Sequence, residues 1–180
     1  EIATGTATSA NGRPDGSSMS GFSEAPVIIG HRGAAGLKPE NTLPSFRTAV
    51  ALGVQAVELD VHLCEGELVV IHDASLERTT NGTGEVSGTT FFSLRQLDAG
   101  AGAHIPTLAE VLAVLPAEVG LNVELKGAGT APVLAGWLPE PGEREILISS
   151  FDHEALRAFQ ALRTDYPVVP LFSRWKADPI

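Results

Sequence analysis

The sequence predicts an α/β fold organised on a parallel sheet, and three observations carry that expectation. From Pro26 onward, short apolar runs alternate with helical stretches, as strands joined by helical crossovers do. Val27-Ile28-Ile29 is apolar at every position, as expected of a strand buried on both faces. The polar residues with chemical potential stand at the C-terminal ends of such runs, where every βα loop of a parallel sheet opens.

The elements follow in order. After the first strand a helix is expected from about Asn41 to Leu52. Leu43, Phe46 and Val50 fall on one face of it, and Gly53 stands where a C-terminal cap would. Val54 to Leu63 reads as the second strand. Cys64-Glu65-Gly66-Glu67 is a turn, and Leu68 to His72 is another β-rich run. Parallel neighbours need a crossover of about a dozen residues, so the run 68–72 is expected to fold back antiparallel as a hairpin arm. Counting outward from a two-residue loop at Glu65-Gly66 sets His72 opposite Leu59, beside Glu58 and Asp60. A strict pleat would turn His72 to the face of Leu59, so a bulge or twist is expected there.

The turn formers of residues 78–92 mark an excursion from the sheet. Ser93 with Gln96, and Thr107 with Glu110, each match the S/T-x-x-E/Q capping box. Leu108, Val111, Leu112 and Leu115 give the second of these helices an apolar face. Leu121 to Leu125 is the third strand, Ala131 to Leu138 a short helix, and Ile146 to Ser149 the fourth strand. A helix from about Asp152 to Arg163 leads to a fifth strand, Val168 to Phe172. Residues 1–25, rich in Gly, Ser, Thr and Ala, read as a flexible arm. Met19 is an alternative start of translation to Glu1.

Composition excludes several classes. Twelve Lys+Arg against twenty-two Asp+Glu give a net charge of −10, with 43% hydrophobic residues, which argues against both a disordered tail and a nucleic-acid binder. One cysteine, Cys64, excludes an intramolecular disulfide framework and a multi-cysteine zinc site. It has no basic partner in the sequence, which argues against a nucleophile. No run of eighteen apolar residues and no secretion signal is found in the sequence, so a cytoplasmic protein without a transmembrane segment is the expectation.

Glu58 and Asp60, two apart on a strand, point to one face. Two such carboxylates are costly in a buried element unless something positive neutralises them. Glu124 on the adjoining strand is the third. Oxygen-only ligation suits one divalent cation, Ca²⁺ or Mg²⁺, and pairing with Arg32 and Lys126 is the alternative. His31 and His72 are aimed at the same carboxylates and suit proton transfer near neutral pH. Arg32 could clamp a phosphate bidentately, with Lys126 adding a second positive charge. His62, placed beyond the buried part of its strand, and His104 and His153 are expected to be structural or solvated.

The segments HRGAAGLKPENTLPSF (31–46), AVELDVHL (56–63), VVIHDASLERTTNGTG (69–84), LDAGAG with IPTLAEVL (97–112), NVELKG (122–127) and ISSFDHEAL (148–156) strongly resemble the glycerophosphodiester phosphodiesterase family. The resemblance implies a TIM-type (β/α) barrel that hydrolyses glycerophosphodiesters to glycerol 3-phosphate and an alcohol. It implies His31 and His72 as the acid–base pair, and Glu58, Asp60 and Glu124 as divalent-metal ligands. Arg32 and Lys126 match phosphate-binding positions. Residues 26–180 would then form a partial barrel, with about five of eight strands, the hairpin arm, and the family insertion at 73–105. A complete barrel typically needs about 250 residues, against 180 here. The hairpin between Asp60 and His72 is one residue shorter than is usual in the family. The family's last three strands have no counterpart, and Trp137 and Trp175 do not match its WT-x-N-like stretch. Two other readings remain open: a sphingomyelinase-D-type phospholipase that forms a cyclic phosphate, and an inactive fragment that binds only metal and phosphate. An open barrel would also expose two edges, inviting self-association.

Overall fold

The computed structural model describes residues 27–142 and 144–173. The expected arm at 1–25 and both candidate starts lie outside the described residues. So does Trp175.

Six strands form one sheet in the order β1-β2-β4-β5-β6, all parallel, with β3 pairing antiparallel on β2. The strands are β1 (Ile29–Gly30), β2 (Ala56–Cys64), β3 (Glu67–Val70), β4 (Gly120–Leu125), β5 (Ile146–Ser150) and β6 (Val168–Pro170). The helices are α1 (Leu43–Ala51), α2 (Phe91–Arg95), α3 (Leu108–Val114), α4 (Thr130–Trp137) and α5 (His153–Leu162). This is the α/β architecture expected, with the barrel not closed: among the described residues β1 and β6 are the outer strands and do not pair with each other. Ile28, Ile29 and Phe172 stand exposed at these edges.

Strand periodicity sorts β2 into two chemical faces. Val57, Leu59 and Val61 are fully buried and join Phe46, Val123, Leu134, Ile148 and Phe159 in the core between sheet and helices. The alternate residues, Glu58, Asp60 and His62, point to the other face. A second apolar cluster lies under the insertion. There Val69 and Ile71 from the hairpin arm pack with Leu76, Val86, Leu94 and Ile105.

Local signals set the ends of the elements. Thr42 caps α1, with its side chain accepting from the Ser45 N–H, and Gly53 follows α1 at φ 78°, a conformation that favours glycine. Glu65 and Gly66 both have positive φ, as a two-residue hairpin loop on right-twisted strands demands. Thr107 and Glu110 form the expected capping box on α3. Ser93 does not cap α2. Thr90 does, its hydroxyl accepting from the Ser93 N–H, because Phe91 and Phe92 already lie within the helix.

The hairpin register agrees with the count from its loop: Val61 pairs with Val70, and the Ile71 N–H donates to Asp60 O at 3.1 Å. Of the bulge or twist expected before His72, the paired residues show no bulge. The ladder ends at Val70 and the chain bends at His72, so departure from the strand frees His72 from the pleat.

Candidate active site and metal centre

The site is built at the C-terminal ends of β1, β2 and β4. The parallel register sets Asp60 beside Glu124, so strand pairing alone brings Glu58, Asp60 and Glu124 together. One carboxylate oxygen from each lies within 4.8 Å of the others, and all three residues are buried. Glu58 Oε1, Asp60 Oδ1 and Glu124 Oε1 are buried without a well-directed hydrogen bond. Three oxygens facing one another in this way fit a hard divalent cation.

Two cations of the chain stand at the rim. Lys126 Nζ is 2.5 Å from Glu124 Oε1 and 3.4 Å from Asp60 Oδ1. Its ammonium also lies 5.6 Å from the ring centre of Phe151. Arg32 Nε is 3.4 Å from Asp60 Oδ2, and its Nη1 donates to Glu40 Oε1 at 2.8 Å. The charge-balance reading of Arg32 and Lys126 is therefore part of the geometry. Counted over this cluster, three carboxylates still exceed the two cations that face them directly.

The loop after β1 is shaped by backbone. Arg32 and Asn41 adopt φ of 50° and 56°, uncommon for residues with a side chain. The payoff is local: the Arg32 N–H donates to Glu58 Oε2 at 2.9 Å, and Asn41 Nδ2 donates to Asp60 Oδ2 at 2.9 Å. Gly33, at φ 79°, lets the loop approach α1 so closely that a Cβ there would lie 2.6 Å from Ser45 Oγ. The Ala34 N–H donates to Ser45 Oγ, which donates in turn to Arg32 O.

The two candidate histidines differ in support. His31 is well exposed, with Nε2 3.8 Å from Glu58 Oε2. His72 Nδ1 is 2.6 Å from Asp73 Oδ1. Arg78, and then His72 itself, hold the Asp73 carboxyl far below its usual range, so Asp73 is the acceptor and His72 Nδ1 the donor. That bond leaves Nε2 as the reactive nitrogen of His72. His62, expected beyond the buried part of β2, is instead buried and donates from Nε2 to the His72 carbonyl at 3.1 Å. The folded-back arm covers it, and burial lowers its pKa. His104 and His153 contact the carbonyls of Leu97 and Leu171, the structural roles expected. Cys64 is buried, its thiol donating to Thr89 O.

Sequence reasoning missed Glu40, Asn41, Asp73 and Arg78 as parts of the site. Only the adjacency of Asp73 to His72 was a local signal. The others meet through contacts of the loop after β1, Asn41 with Asp60 on β2 and Glu40 with Arg78 in the insertion, which no periodicity reports.

Burial, reinforced by Asp60 and Glu124 and opposed by the Arg32 N–H, pushes Glu58 up from the ordinary value near 4.5 to about 7. The folded, cation-free protein thus holds a proton that the unfolded chain releases. Its stabilising contribution is full below about pH 4.5 and disappears as pH rises through about 7. The whole span amounts to about 3 kcal/mol. Thermal unfolding of chelator-treated protein from pH 5 to 8 should show this decline. A saturating divalent cation should flatten it, because the charged carboxylate then has a partner. A cation-independent slope would contradict the assignment.

Residues 31–179 match the model of the glycerophosphoryl diester phosphodiesterase family. A glycerophosphodiester phosphodiesterase from Caldanaerobacter subterraneus subsp. tengcongensis is 40% identical over 146 residues, 73% of this chain and 60% of that protein. One from Bacillus subtilis is 33% identical over 174 residues, 81% of this chain and 59% of that protein. The chain thus spans about three fifths of the length of these curated relatives. Among solved structures, an Oleispira antarctica phosphodiesterase in complex with the product sn-glycerol-3-phosphate matches with a TM-score of 0.71 and 36% identity, covering 83% of this chain and 66% of that one. Fold, motif order and the carboxylate cluster lead to one conclusion: the chain belongs to the glycerophosphoryl diester phosphodiesterase family.

Proposed function

We propose that the protein hydrolyses glycerophosphodiesters to glycerol 3-phosphate and an alcohol at a site that holds one Ca²⁺ or Mg²⁺. The observation that carries this reading is the convergence of His31, Arg32 and Lys126 on three buried carboxylates, with a second imidazole, His72, held by Asp73 on the segment that follows β3. The solved Oleispira antarctica relative, with sn-glycerol-3-phosphate bound, supports the product class. No helix among the described residues is long and apolar enough to cross a membrane, and water-soluble diesters in the cytoplasm are the proposed substrates.

Glu58, Asp60 and Glu124 would hold the cation. When bound, it withdraws charge from the phosphate and lowers the barrier to attack. Arg32 and Lys126 bind and orient the phosphate, each turning from a carboxylate partner towards the substrate oxygens. The two histidines divide the proton work. One imidazole takes the proton of the attacking hydroxyl, from water or from the substrate's own glycerol 2-hydroxyl. The other gives a proton to the departing alcohol as the P–O bond breaks. Asp73 keeps His72 in the tautomer that presents Nε2. Attack by the glycerol hydroxyl forms a cyclic phosphate, which water must then open to give glycerol 3-phosphate.

Phosphorus NMR of glycerophosphocholine turnover tests the proposal. Glycerol 3-phosphate should accumulate with Ca²⁺ or Mg²⁺, stop accumulating on chelation, and return on adding the cation back. A persistent cyclic phosphate from larger lipid substrates would instead favour the phospholipase reading. No phosphorus product under any cation condition would reject hydrolysis by this chain.

A further inference from the structure

Arg78 lies in the insertion, away from the carboxylate cluster, yet it joins the two histidine-bearing segments. Its guanidinium makes a bidentate pair on each side. Nε and Nη2 donate to Asp73 Oδ2 and Oδ1 at 2.5 and 2.9 Å. Nη1 and Nη2 donate to Glu40 Oε2 and Oε1 at 3.0 and 2.8 Å. Beyond Asp73 the chain of contacts reaches His72 Nδ1, and beyond Glu40 it reaches Arg32 Nη1. One planar fork therefore connects the residue that orients an imidazole to the residue that orients a phosphate clamp.

A simple surface ion pair is worth little. This one differs because both carboxylates are engaged through two nitrogens and both are only partly exposed. Lysine cannot reproduce it, since an ammonium lacks the fork needed to hold two carboxylates in one plane. The apolar cluster under the insertion contains Leu76 but not Arg78, so the guanidinium is not part of that core. Neither a core nor a helix-cap role accounts for its four bonds.

We propose that Arg78 is a positioning residue for diester hydrolysis: it sets the placement of His72 through Asp73 and of Arg32 through Glu40, coupling the insertion to the loop after β1. This rests on the hydrolase reading above. Misplacing a reacting group by about 1 Å can cost on the order of 10²-fold in rate, so the expected effect is large for a residue that touches no substrate.

The test compares wild type, Arg78→Ala and Arg78→Lys by glycerophosphocholine kinetics, calorimetric Ca²⁺ titration, and ¹⁵N NMR of the imidazoles at about pH 8.5, where an ordinary histidine is neutral. In Arg78→Ala, kcat should fall roughly 10- to 100-fold while Ca²⁺ affinity stays within twofold. His72 should change from a single Nδ1-protonated tautomer to a mixture. Arg78→Lys, which keeps the stem and the charge, should recover only part of both. Wild-type kcat and an unchanged His72 spectrum in either variant would overturn the proposal. So would equal loss of Ca²⁺ binding and activity, the mark of a general structural role. If wild type itself turns over no diester, the hydrolase reading fails, and an unchanged His72 spectrum in Arg78→Ala then rejects the clamp separately.

Discussion

Replacing His72 with alanine should lower glycerophosphodiester turnover by roughly 10²–10⁴-fold, the usual contribution of a proton-transferring imidazole. The same is expected of His31→Ala. Neither change should alter cation affinity, because neither ring supplies one of the three clustered oxygens. The two variants should differ in stability. His31 is well exposed and, among the described residues, its ring makes only the 3.8 Å approach to Glu58, so its loss should leave the melting temperature unchanged. His72 is partly buried and its ring bonds Asp73, so a small destabilisation is expected, within about 1 kcal/mol for one such bond. Steady-state kinetics, calorimetric cation titration and thermal melts of the three proteins check each part. Wild-type turnover in either variant would remove that histidine from the mechanism.

The second large effect concerns sign as well as size. Asp60 and Glu58 are two residues apart on the same strand face, yet their replacement should act in opposite directions on the cation-free protein. Asp60 is fully buried and faces Arg32 Nε, Lys126 Nζ and the Asn41 amide. Asp60→Ala removes the carboxylate facing Arg32 Nε and the Asn41 amide and leaves Lys126 with Glu124 alone, and breaking a buried pair from one side typically costs about 3–5 kcal/mol. Glu58 is held above its ordinary pKa by burial and by its carboxylate neighbours, so its charge is a liability without a cation. Glu58→Gln keeps an acceptor for the Arg32 N–H and removes that charge. Above about pH 7 it should match or exceed wild type in melting temperature. Both variants should lose cation binding. Equal destabilisation by the two replacements would show that charge balance, not a cation site, explains the cluster.

Much of this site was legible because strands have a strict period. Glu58-x-Asp60 places two carboxylates on one face wherever β2 ends, and parallel pairing adds Glu124 at the level of Asp60. The hairpin count gave the register of β3 correctly, Val61 opposite Val70, because a two-residue loop fixes register. It failed on the bulge because the end of a ladder is set by what the following segment packs against, here the apolar cluster around Leu76 and Val86. His62 was misplaced for the same reason, since the cover over it comes from the folded-back arm. The positive φ at Arg32 and Asn41 could not be anticipated. Neither is glycine, and the conformations are held by the Arg32 N–H on Glu58 and the Asn41 amide on Asp60, 26 and 19 residues away in sequence. The double fork of Arg78 was hidden likewise, its Glu40 partner lying 38 residues upstream.

The pairing of Asp60 with Glu124 also orders events in time. Every charged residue placed around the carboxylates falls between His31 and Lys126, while β5 and β6 contribute none of the three oxygens. Chains fold from the N-terminus as they are made, at about 5–20 residues per second. Once Lys126 has left the ribosome, β4 can dock on β2 and complete the oxygen cluster several seconds before the last strands are available. Under the proposed function, a divalent ion present at that moment would act on folding as well as on chemistry, joining β2 to β4 while the later part of the sheet is still being synthesised.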